Sequence, residues 1–167
     1  MIFKYLKFYI IILNIHLLNI KYIEIIMSKF IYFYETIREN LDSYDGEYDS
    51  FIDYGPNLFK LLCDILDHNT ITNRHLRLEI SAAIAYYAIP RDLIPEETYG
   101  PKGYVDDILI STYVLKNVAN EYGYEILQDS WAEDSNVKEI IEECYNKSTD
   151  ILEDKVYPIL SYIGLRD

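Results

Sequence analysis

One stretch constrains this chain more than any other. It reads Ile89-Pro90-Arg91-Asp92-Leu93-Ile94-Pro95-Glu96-Glu97-Thr98-Tyr99-Gly100-Pro101-Lys102-Gly103-Tyr104-Val105-Asp106-Asp107. It holds three of the chain's five prolines and two of its six glycines. Each proline fixes φ, and each glycine opens turns closed to other residues. A loop so restricted has a set shape, and its acidic side chains are placed by that shape. Leu93 and Ile94, apolar in a polar loop, are expected to plug back between the flanking segments.

Those flanking segments carry helical periodicity. Leu76, Ile80, Ala83, Ile84 and Tyr87 recur at helix spacing, and Ala82, Ala83, Ala85 and Ala88 permit close approach of a neighbour. Thr72 or Asn73 can cap this helix and Pro90 stops it, giving a helix over 73–88. After the loop, Val105, Ile108, Leu109, Thr112, Leu115 and Val118 form the buried side of a helix over 104–121. Asp106 and Asp107 lie in its first turn, where the helix dipole favours negative charge.

The rest of the chain follows the same period. Phe30, Tyr34, Ile37 and Leu41 mark a helix over about 29–43. Glu47–Gly55 reads as a loop or short turn. Pro56 suits the first turn of the next helix, with Leu58, Leu61, Leu62, Ile65 and Leu66 as its apolar face and Asn69 near its end. A short helix is expected over Tyr124–Ala132, anchored by Trp131. Asp134 or Ser135 would cap a last long helix with apolar positions Val137, Ile140, Ile141, Cys144, Ile151, Leu152, Val156 and Ile159, kinked or restarted at Pro158 and ended by Gly164. No segment sustains period-two alternation. The expected fold is all-α, a single compact domain of about five or six helices built around the 73–88/104–121 hairpin.

The first 26 residues differ from the remainder. Apart from Met1, His16 and Glu24, they are Ile, Leu, Phe, Lys, Asn and Tyr, the residues favoured by AT-rich codons. Lys4 and Lys7 precede an apolar run from Phe8 to Ile20. Asn14, His16 and Asn19 interrupt it, and it is shorter than the roughly 20 apolar residues of a spanning helix. A signal or membrane anchor, an added packing helix, and translated upstream sequence before a true start at Met27 are the competing readings, and the composition favours the last. The domains are accordingly read as 1–26, an atypical extension, and 27–167, the helical domain.

The 167 residues carry a formal charge of −13. Residues 1–26 contribute +2, from three lysines against Glu24, so residues 27–167 carry −15. Such a chain is repelled by phosphate backbones and anionic membrane surfaces, which argues against nucleic acid as a partner. Basic proteins or divalent cations suit the charge better. Membrane contact is expected only through residues 1–26. The two cysteines, Cys63 and Cys144, have no metal-ligand spacing and fall at apolar helix positions, consistent with reduced thiols in a cytoplasmic protein.

The hairpin also resembles a known family. Pro90-Arg91-Asp92-Leu93-Ile94-Pro95, followed by Gly103-Tyr104-Val105-Asp106-Asp107 opening the next helix, is similar to the paired motif of the YkvA-like family, a widespread domain of unknown function. The resemblance covers about residues 74–120. Glu96 stands where the commonest form has Asp, and Tyr99-Gly100-Pro101 replaces a second Ile-Pro with one residue more. The family has no established catalytic residues, so the resemblance implies a helical hairpin and no reaction.

Asp92, Asp106 and Asp107, with Glu96 or Glu97, form the candidate divalent-cation site, since carboxylate oxygens suit Mg²⁺, Mn²⁺ or Ca²⁺ and such a site supports phosphoester hydrolysis. Against this, adjacent helix residues point about 100° apart. Capping and ion pairing with Arg91 or Lys102 also explain the same acids. Pro90, Leu93, Ile94, Pro95, Gly100, Pro101, Gly103 and Tyr104 are expected to shape the clasp. His75 and His68 have no nucleophilic partner nearby in sequence, and Gly100-Pro101-Lys102-Gly103 lacks the spacing of a phosphate loop. Tyr86, Tyr87, Tyr99, Tyr104 and Tyr113 gather around the loop, either covering it or offering a protein-binding surface. The expected activity is protein–protein interaction without catalysis or cofactor. A metal-dependent hydrolase and a membrane-associated protein are the alternatives.

Overall fold

A computed structural model of the chain describes residues 32–87 and 94–166. The expectations for residues 1–26, for Phe30 and for Pro90, Arg91, Asp92 and Leu93 lie outside the described residues. The chain divides into two units, Met1–Phe33 and Tyr34–Asp167. The second unit holds the hairpin and the helices around it.

Every regular element among the described residues is helical, as the periodicity predicts. In the second unit α1 covers residues 34–42. Then come α2 (Gly55–Asp67), α3 (Arg74–Tyr86), α4 (Glu96–Tyr99), α5 (Val105–Tyr122), α6 (Glu125–Ser130), α7 (Val137–Leu152) and α8 (Val156–Tyr162). Twelve of the eighteen residues of α5 are buried, so it is wrapped on most sides and not amphipathic in the ordinary sense. It packs against α7, α3 and α2, with α6 and α8 lying against it as well.

The boundaries follow local chemistry. The Asn73 carboxamide accepts from the N–H groups of His75 and Leu76 and so caps α3. α5 stops at Gly123, whose φ of 87° is left-handed. α7 is capped by Asn136, which accepts from Lys138 and Glu139 N–H, and not by Asp134 or Ser135. Ser135 has another task, accepting from Trp131 Nε1 at 3.0 Å.

Two segments sharpen the sequence expectation of a short turn within 47–55 and of a helix kinked or restarted at Pro158. Within 47–55, residues Ser50–Tyr54 form a 3-10 turn that buries Phe51 and Ile52. The last long helix is two helices. Pro158 has no N–H to give Asp154, and its ring would crowd that carbonyl in a continuous helix. The chain therefore breaks at Glu153–Lys155 and restarts at Val156, which places Pro158 in the first turn of α8, where its N–H is not needed.

The break strains Glu153, which sits at φ 47°, ψ −114°, the one non-glycine residue with positive φ among the described residues. Such a backbone costs about 1–3 kcal/mol. Glu153→Gly should therefore raise stability by about 1 kcal/mol, the relief of strain exceeding the added freedom of the unfolded chain. Urea unfolding of the two proteins checks this. An unchanged or lower midpoint would contradict the strain.

A tyrosine-rimmed clasp and an acidic cleft

The hairpin brings the end of α3 against the start of α5. Asp106 and Asp107 occupy the first turn of α5, yet they are 0% and 1% exposed and make no side-chain cap there. They keep the first-turn place expected for acids that the helix dipole favours, and they are enclosed there. The Tyr86 hydroxyl donates to Asp106 Oδ2 at 2.7 Å in a buried bond. Next to it, Tyr87 Oη lies 3.1 Å from Ser111 Oγ, and the Phe59 ring meets Tyr87 edge-on at 5.0 Å. Burial first, and then the Asp107 charge, push the Tyr87 hydroxyl well above its ordinary pKa. Both aspartates interact with other groups of the chain.

The described part of the loop, from Ile94 onward, is mostly helical. α4 is followed by a 3-10 turn over Gly100–Tyr104, in which Pro101, Gly103 and Tyr104 are buried while Lys102 is exposed. Ile94 and Pro95 are half-buried. Pro95 O accepts the N–H groups of Thr98 and Tyr99. Gly100 has φ 60°, and a Cβ there would lie 2.8 Å from the Tyr44 ring, so glycine is needed twice over. α1 fixes the other side, with Asn40 Nδ2 donating to Tyr104 Oη at 2.8 Å.

Of the tyrosines gathered near the loop, Tyr86 and Tyr104 are buried, Tyr87 and Tyr113 half-buried, and Tyr99 exposed. Tyr44, seated on Gly100, is also exposed, and its ring lies 6.0 Å from that of Tyr48. Tyr48 leads into a cleft of about 690 Å³ that sequence reasoning did not find, because its walls come from four separate parts of the chain. Asp42, Asp53, Glu133, Glu143, Tyr48 and Tyr54 line it, as does the cation Arg38. Tyr48 donates to Asp53 at 2.8 Å, and Asn57 Nδ2 donates to Glu133 at 2.8 Å. Lys147 bridges Glu143 and Asp49, each at 3.1 Å. Burial and then the Asp53 bond push the Tyr48 hydroxyl up to about 12.

Among the described residues, no group of three or more His, Cys, Asp or Glu side chains is arranged to hold a metal ion. Asp92 lies outside the described residues, as do the side chains of Glu96 and Glu97. Exposed His75 Nε2 lies 3.1 Å from a Glu79 carboxylate oxygen, and Asn117 donates to that same carboxylate. His68 Nδ1 accepts from Thr70 N–H. Cys63 and Cys144 are free thiols pushed up to about 12 by burial, which disfavours thiolate chemistry.

A second polar node ties α5 to α7. Lys116 donates to Glu142, and the Tyr124 hydroxyl donates to the same carboxylate at 3.1 Å. These contacts, the Lys116 bond foremost, hold Glu142 below its ordinary 4.5. Its folded-state pKa is depressed, so its contribution is present above the unfolded value and lost as pH falls through the folded one. Glu142→Gln should lower the unfolding free energy measured in urea at pH 7 by a fraction of a kcal/mol to about 1, as for other solvent-screened pairs. The gap to the parent protein should close as pH falls below 4.5. A gap that stays constant with pH would contradict the assignment.

The family model described as "Protein of unknown function (DUF1232)" matches residues 76–113, from the first turn of α3 to the middle of α5. The chain is 32% identical over 128 residues to "Uncharacterized protein ORF9" of Methanothermobacter thermautotrophicus, spanning 77% of this chain and 87% of that protein. No solved structure matches it. The matched region is the clasp itself, so the chain belongs to the family of this archaeal protein, with its DUF1232 region formed by the α3–α5 hairpin.

Proposed function

We propose that this protein is a non-catalytic binding module that receives a basic segment of a partner protein across the tyrosine rim and into the adjoining acidic cleft. The supporting observation is the continuity of the two surfaces: exposed Tyr99 and Tyr44 flank Gly100, Tyr48 follows, and Tyr48 also lines the cleft with its four carboxylates. Tyrosine faces attract arginine and lysine, and the carboxylates attract the same cations over a longer range. The net charge of −13 favours the approach of such a partner and disfavours nucleic acid. The DUF1232 match encloses both motif halves, Pro90–Pro95 and Gly103–Asp107, and this supports reading the YkvA-like family and the DUF1232 family as one. We place the protein in the cytoplasm, a reading supported by its free thiols. Among the described residues no helix is long and apolar enough to cross a membrane.

A nona-arginine peptide is a suitable probe. At physiological salt it should shift the amide resonances of Asp42, Tyr48, Asp53 and Tyr99, and the paired substitution Tyr99→Ala with Glu133→Gln should weaken binding by at least about tenfold. Equal binding by the parent and the variant, or shifts spread evenly over the acidic surface, would overturn the proposal.

A further inference from the structure

The sequence between Val137 and Ile159 keeps one helical stripe, apolar except at Ser148, yet the chain interrupts it at Glu153–Lys155. The interruption forces Glu153 into a left-handed conformation that side-chain-bearing residues disfavour. None of the three residues in the break is buried, so straightening them uncovers no core. α8 beyond it has seven residues and buries only Ile159 and Leu160, while it packs against α5. A short strained hinge ahead of a lightly anchored terminal helix is the arrangement that exchanges between copies of a chain.

We infer that α8 is an exchangeable element, and that two copies of this chain can trade it. In the exchanged form residues 153–155 become helical, and α7 and α8 join into one helix spanning Val137–Tyr162, about 39 Å long at 1.5 Å per residue. Each α8 then takes the seat on α5 of the other copy. That seat already fits Ile159 and Leu160, so the second copy is the occupant whose complementarity is assured. Joining the helices leaves Val156 and Ile159 on the stripe of Cys144, Ser148 and Leu152, as 3.6-residue spacing requires.

Two residues set the balance in opposite directions. Glu153 favours the straight form, where its backbone becomes ordinary helix. Pro158 favours the broken form, because in a continuous helix it would face Asp154 O without an N–H to offer. Pro158 therefore acts as the latch that keeps the chain monomeric, and the strained hinge supplies the tendency to open.

The full chain, refolded at millimolar and at micromolar concentration, would be sized by chromatography with light scattering. Pro158→Ala should raise the dimer fraction at least about tenfold over the parent protein, and adding Glu153→Gly should reverse much of that rise. In dimers of mixed isotope-labelled copies, the methyl groups of Ile159 and Leu160 should contact α5 methyl groups of the other copy. Pro158→Ser carries the same test if Pro158→Ala aggregates. Monomers at every concentration in both proline variants, or dimers without these intermolecular contacts, would overturn the inference.

Discussion

Phe51→Ala should be among the most damaging single truncations, lowering stability by about 3–5 kcal/mol, the range for removing a fully buried phenylalanine ring. Phe51 is 0% exposed, on a 3-10 turn that packs against α7 and α2. Its carbonyl accepts a long bond from the Cys144 thiol at 3.8 Å, and the Lys147 ammonium lies 5.6 Å from its ring centroid. Loss of the ring would thus leave a cavity where a loop segment, α2 and α7 meet, and no single helix can collapse to fill it. In a domain of this size the expected fall in melting temperature is about 10 °C or more. Ile52→Val next door should cost about 0.5–1.5 kcal/mol, and Glu47→Ala, exposed three residues before the turn, should lie within about 0.5 kcal/mol of the parent. Thermal and urea unfolding of the three variants supply the test. A Phe51→Ala cost below about 1 kcal/mol would mean that this turn is not part of the core.

The same residue marks where the sequence was legible and where it was not. α2, α3 and α5 could be read because apolar spacing, a capping Asn73, Pro56 and a terminal Gly123 act within a few residues of one another. Phe51 and Ile52 sit among Tyr, Asp and Gly residues that indicate turn, and only α2 and α7, distant in sequence, make that turn a core element. The break before α8 was half legible: Pro158 announced it, but its location at Glu153 depends on where Leu152 and Ile159 must each seat. The candidate site divides in the same way. Adjacency of Asp106 and Asp107 at a helix start is a sequence fact. Their enclosure comes from the approach of α3, and so does the Tyr86 bond. The acidic cleft left no local signal, since Asp42, Asp53, Glu133 and Glu143 are spread over a hundred residues.

Tyr86→Phe should cost about 1.5–3 kcal/mol, more than the loss of an ordinary hydroxyl, because it strips a hydrogen-bond donor from a buried carboxyl group. Tyr87→Phe is the natural comparison. Its hydroxyl meets Ser111 in a partly buried neutral contact, so its removal should cost nearer 1 kcal/mol. Asp106→Ala should also be strongly destabilising, and a double-mutant cycle with Tyr86→Phe should return a coupling of about 1.5–3 kcal/mol, since each single change already abolishes the shared bond. Ser111→Ala in the Tyr87→Phe background should show a smaller coupling, about 1 kcal/mol or less, because the shared bond is neutral and only partly buried. These differences separate two roles for the aspartates. If they chiefly join α3 to α5, stability should fall in the order given and the coupling should be present in the protein alone. If instead Asp106 is held ready for a ligand, Tyr86→Phe should leave the unfolding midpoint near that of the parent and the cycle should show no coupling.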